Sequence, residues 1–171
     1  MDYYQNVVID YLRADRAVFV NTECCVQTNQ AHNPDSSGPH WYCDAVAADF
    51  RSKVIFLCEI SYSVQLADLT KRLKDWHKNW DEVRHALARE NFLPDWPVRV
   101  WLFVPEHLTP LLLERLDRIG NGQPLKLAPR ITPLEMVQPW HYCSWDRIGE
   151  IACCAKHACA KPTSIPEAMA K

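Results

Sequence analysis

Only four of the 171 residues are glycine, so the chain has no glycine-rich loop to cradle a nucleotide phosphate,. It has no Ser or Cys hydrolase motif and no internal repeat, which sets aside nucleophile-elbow enzymes and solenoids,. Neither sign of charge dominates. Nineteen Lys and Arg stand against 21 Asp and Glu, so the overall field favours neither nucleic acid nor an anionic membrane,. No apolar run approaches the ~20 residues that span a bilayer, so no membrane partner is expected. The start, "MDYYQNVVID", carries an acid where a signal peptide carries basic residues,. A cytoplasmic protein is expected, with its eight cysteines mostly reduced,.

What remains is an ordinary globular composition, 48% apolar and 23% charged, with length for one domain,. The reading is a single domain over 1–150 and a loosely ordered tail over 151–171. "DYYQNVVIDYLRAD" has helical spacing with Asp2 as N-cap,. "AVFVNTECCVQT" reads as a strand,. Residues 30–39 carry loop signals, and 41–61 form a hairpin turning near "DFRSK",. Leu66, Leu69, Leu73, Trp76, Trp80, Val83 and Leu87 make one stripe along a single long helix,. "VRVWLFV" is a strand. "TPLLLERLDRIG" is a helix with Thr109 as cap, Pro110 in the first turn and Gly120 past the end,. Short extended pieces are expected near 125–131 and 134–138. The class is therefore α/β: a mixed sheet, with an antiparallel hairpin and a parallel crossover strand, flanked by helices.

The hairpin poses the chemical question. With its turn centred between Arg51 and Ser52, Ala48 faces Ile55, Val46 faces Leu57 and Asp44 faces Glu59. Side chains alternate, so Asp44, Glu59 and Ser61 share a face, and the two acids have β-carbons roughly 5 Å apart. Like charges so placed repel. Such a pair shares a proton or holds a cation, unless Asp44 meets solvent or Glu59 pairs with a Lys or Arg of the next helix. A hard cation, Mg²⁺ or Mn²⁺, suits two carboxylates, with the Ile60 carbonyl as a further ligand.

An acid, a hairpin turn and then acid–x–lysine resembles the PD-(D/E)XK nuclease superfamily, whose restriction-endonuclease-like core is αβββαβ. The same element order is read here for residues 2–104. The resemblance implies Mg²⁺-dependent hydrolysis of nucleic-acid phosphodiesters, with Asp44 and Glu59 as metal ligands. Ser61 stands where the family has its catalytic lysine, and Cys43 where it often has proline. Lys71 and Lys74 on the following helix are candidates to supply the missing charge, and Gln65 to assist. Lys53 is roughly 25 Å away at the far end of the hairpin. The other expectation is a non-catalytic interaction or nucleic-acid-binding protein on the same scaffold, a homodimer through the long helix.

Other features read more plainly. The basic residues of that helix are interleaved with acids, as on a solvated face, and Trp76 and Trp80 lie on its apolar stripe. Cys24, Cys25, Cys43 and Cys58 read as small buried hydrophobes. Cys143, Cys153, Cys154, His157 and Cys159 lack the paired spacing of a zinc site. His40 and the 30–39 loop lie at the mouth of the proposed site.

Overall fold

Asp2 opens the first helix as its side chain suggests. Its carboxylate accepts the Gln5 backbone N–H at 2.8 Å, and the Gln5 side chain accepts the Asp2 backbone N–H at 2.9 Å. This reciprocal cap starts α1, Tyr3–Arg13, whose buried stripe is Val8, Ile9, Tyr11 and Leu12,. Asp2→Ala is expected to cost about 1 kcal/mol, read as a lower urea midpoint. An unchanged midpoint would mean that the cap contributes nothing. The computed structural model describes residues 2–27, 40–90 and 95–142. The cysteine cluster near the C-terminus, the 30–39 loop and the 151–171 tail lie outside the described residues.

Five strands form one sheet in the order β1-β2-β3-β4-β5. They are β1 Val18–Gln27, β2 His40–Asp49, β3 Val54–Ile60, β4 Val98–Val104 and β5 Arg130–Pro133. The first two pairings are antiparallel and the last two parallel. The mixed α/β sheet expected from the sequence is present. So is the hairpin register, with Val46 opposite Leu57 and Ala48 opposite Ile55. The Asp49 carboxylate fixes the turn by accepting the N–H groups of Arg51 and Ser52 and the Ser52 hydroxyl,.

The long helix is two helices, α2 Ala67–Lys78 and α3 Trp80–Glu90, parted at Asn79. The apolar stripe runs on across the break, so periodicity does not reveal it. The Asn79 amide donates back to the Asp75 carbonyl at 2.9 Å, a local bond that competes with helix continuation,. Trp76 and Trp80 are buried in the core, so any self-association surface on this segment uses its polar side.

The third helical segment shifts by one residue from expectation. A 3₁₀ turn, Glu106–Leu108, runs straight into α4, Thr109–Gly120. Thr109 is therefore the first helical residue rather than its cap; its N–H already donates to the Glu106 carbonyl. Pro110 does sit in the first turn. Gly120 ends the helix, and Asn121, at φ 51°, takes the left-handed position just beyond it,. Leu134–Val137 is a 3₁₀ turn, not an extended piece. Leu134 and Val137, three apart, both enter the core, a spacing that such a turn satisfies,.

Two apolar cores flank the sheet. Leu57, Val100, Leu102 and Val104 pack under α2, α3 and α4. Phe56, Cys58, Trp101 and Phe103 pack under α1 on the other face. The β1–β2 ribbon serves both. Val18, Val20, Ala45 and Ala47 join the α1 side, whereas Cys24, Val26, Trp41 and Cys43 join the α2–α3 side. The exchange falls at Glu23, a strand residue at φ 53°. In each strand the pleat loses its alternation there, as at a bulge.

Candidate functional site

Asp44 lies at the point of exchange in β2. Main-chain pairing of the hairpin runs from Asp49–Val54 to Ala45–Cys58, and Asp44 is the next residue along. Its Oδ2 accepts the Ile60 N–H at 2.7 Å, and its Oδ1 accepts the Gln5 side-chain amide at 3.0 Å. The Asp2 cap orients that amide: Gln5 Oε1 faces the Asp2 N–H, so Nε2 faces Asp44. Burial raises the Asp44 carboxyl above its usual 3.8, opposed by the Ile60 N–H, the Arg72 charge and the Gln5 bond.

Glu59, in β3, is 2% exposed. Its Oε2 pairs with the Arg72 guanidinium of α2. Its Oε1 is buried with no hydrogen-bond partner. Burial and then the nearby Asp44 charge push the Glu59 carboxyl well above 4.5, and Arg72 only partly offsets them. Burial thus raises the cost of ionising both the half-buried Asp44 and the buried Glu59, and the Arg72 guanidinium favours the charged form of each,.

Asp44 and Arg72 border a cavity of about 420 Å³, lined also by Gln5, Glu23, Tyr42 and Cys43. It is reached from α1 by Gln5 and from α2 by Arg72. Glu23 stands across the β1–β2 ladder from Asp44, between the pairs Thr22–Ala45 and Cys24–Cys43.

The sequence-derived residues fare unequally. Asp44 lines the cavity, and Glu59 is joined to it through Arg72. The Ile60 N–H is engaged by Asp44. The Ser61 N–H continues the sheet to the Phe103 carbonyl at 3.0 Å. Lys71, Lys74 and Gln65 are exposed. The inward cation is Arg72, which follows Leu69 by three residues and precedes Trp76 by four. Helical period was the signal that could have found it. The ion pair between Glu59 and the next helix, one of the alternatives open in the sequence, is present. Gln5 and Glu23 carried no such signal, because each reaches the cavity through tertiary contact alone.

The donors suit a hard cation. Both are carboxylates, and one oxygen is an orphan in a buried place. Two carboxylates match the protein's usual share of a Mg²⁺ shell, with water and substrate filling the rest. Among the described residues no group of three or more His, Cys, Asp or Glu is placed to hold a metal. Also among them, no helix is long and apolar enough to cross a membrane. No family model matches the chain, and no curated protein or solved structure matches it either.

Proposed function

We propose that this protein is a cytoplasmic, divalent-metal-dependent phosphodiesterase acting on nucleic acid, built on a nuclease-like αβββαβ scaffold. The observation that carries this reading is Glu59: a buried carboxylate beside Asp44, with one oxygen on Arg72 and the other without a partner. Asp44 and Glu59 would hold Mg²⁺ or Mn²⁺, with the Ile60 carbonyl as the remaining protein ligand. The ion would supply Lewis acidity to a phosphate diester and acidify a water.

The chain's own groups have separate tasks. Gln5 and the Ile60 N–H hold the Asp44 carboxylate in one orientation. Arg72 lines the cavity and ion-pairs with Glu59, and it would take the part the family gives to lysine. It can bind a phosphate oxygen through its planar fork of donors. Ser61 contributes no charge. Lys71, exposed on the same helix, would meet only the distal backbone of a polynucleotide.

A second reading has its own support. The Glu59–Arg72 pair answers the buried charge from within, as a scaffold kept for binding rather than cutting would need. Calorimetric titration of the full chain with Mn²⁺ separates the two. Saturable binding is expected, weakened at least tenfold by Asp44→Asn and by Glu59→Gln. Plasmid, single-stranded DNA and RNA should then be cleaved by the wild type and not by these variants. Binding that is absent, or indifferent to both substitutions, would overturn the metal site and leave the interaction scaffold.

A further inference from the structure

Cys24 and Cys43 are direct partners across the β1–β2 ladder. Residues so opposed in an antiparallel pair have Cα atoms about 4.5–5.5 Å apart, inside the roughly 4.4–6.8 Å that a disulfide spans. The face exchange at Glu23 puts both side chains on one side of the sheet: Cys43 belongs to the α2–α3 core and Cys24 packs against it. Both are thiols. The Cys43 thiol donates to the Cys24 carbonyl at 3.7 Å, so it already leans across the ladder.

The two thiols are unequal in the way a two-step reaction needs. Cys24 is half-buried and within reach of a small reagent, whereas Cys43 is 2% exposed. A hydrogen bond from Cys43 lowers the Cys24 thiol to about 7, against the opposing effect of burial. Cys43 lies deeper in the α2–α3 core. Thiolate character and access together mark the attacking sulfur. Cys43 also lines the cavity, so the pair stands at its wall. Cys58 is wholly buried and offers no such access.

We propose that Cys24 and Cys43 form a redox-active dithiol whose substrate is a hydroperoxide. The Cys24 thiolate attacks one peroxide oxygen. The O–O bond breaks, the departing oxygen takes a proton and leaves as water, and Cys24 becomes a sulfenic acid. The Cys43 sulfur then attacks Cys24, displaces the hydroxyl as a second water and gives up its own proton. Two thiols lose two electrons, and hydrogen peroxide becomes two waters. The product is a cross-strand disulfide one residue from Asp44, on the wall of the cavity. This assignment does not depend on the phosphodiesterase reading.

The test is oxidation of the full chain by hydrogen peroxide, followed by thiol blocking in acid and digestion after aromatic residues. That digestion cuts between Tyr42 and Cys43 and separates the two half-cystines. A Cys24–Cys43 linked peptide is expected, abolished by dithiothreitol and persisting in Cys25→Ser. It should fall at least tenfold in Cys24→Ser. Cys43→Ser should instead accumulate a Cys24 sulfenic acid captured by dimedone. Recovery of Cys24 and Cys43 as separate blocked thiols in the oxidised wild type would overturn the proposal. So would dimedone capture at Cys24 no greater in Cys43→Ser than in wild type. Linkage mapping in the wild type decides the matter even where a variant folds poorly.

Discussion

Replacing Trp101 with alanine lowers the unfolding free energy by about 4 kcal/mol, the largest single effect expected here. The indole is 2% exposed on β4. It stacks on Phe103 with ring centres 5.1 Å apart and meets Phe56 at 5.0 Å and Tyr11 of α1 at 6.3 Å. Its N–H donates to the Thr132 hydroxyl at 2.8 Å, and the Arg130 guanidinium sits 3.7 Å from its ring centre. One side chain therefore joins β3, β4, β5 and α1. Truncation removes the transfer term and leaves a cavity that four elements cannot all close. It also strands Thr132, a buried hydroxyl. For a chain of this length the midpoint temperature should fall by roughly 10 °C. A shift under about 3 °C in thermal melts would show that this layer is not the tightly packed one described.

Arg72→Ala is expected to destabilise by about 2 kcal/mol at alkaline pH and by almost nothing in acid. A buried pair that loses one member typically loses about 3–5 kcal/mol; the smaller figure allows for the 36% exposure of the Arg72 side chain,. The sign follows from Glu59. Its folded carboxyl titrates well above 4.5, so above that pH the native state holds a proton that the unfolded state has released. Stability therefore falls as pH rises from about 4.5 through the folded value, then levels off. Arg72 favours the charged form and limits that fall. Without it, the descent should extend to higher pH. Urea midpoints taken from about pH 4.5 to pH 8.5 test this. A deficit equal at both ends would mean that Arg72 acts through packing alone. Glu59→Gln should flatten the wild-type slope.

The parts of this molecule legible in its sequence are those governed by local rules. Asp2 announces a cap, alternating apolar residues announce strands, and the hairpin register follows from where the turn residues fall. The same register brought Asp44 and Glu59 into neighbouring places. What the sequence hid depends on encounters between distant segments. The Asn79 break leaves hydrophobic periodicity untouched. The left-handed backbone at Glu23 has no glycine to advertise it, yet it reverses the facing of two strands. Lys71 and Lys74 match the family's lysine by residue type, but helical phase turns them to solvent and Arg72 inward. Gln5 completes the cap of its own helix, and nothing in the helix reveals its second bond 39 positions along the chain.

Asp44 is clasped by Gln5 from α1, and Glu59 by Arg72 from α2, so two helical layers on opposite sides of the sheet are riveted at a single spot. One rivet is set in the opening turn of α1, where helices fray most readily. Whenever that turn unwinds, Gln5 lets go and one wall of the cleft goes slack. The orientation of the Asp44 carboxylate is thus tied to the order of the first few residues of the chain.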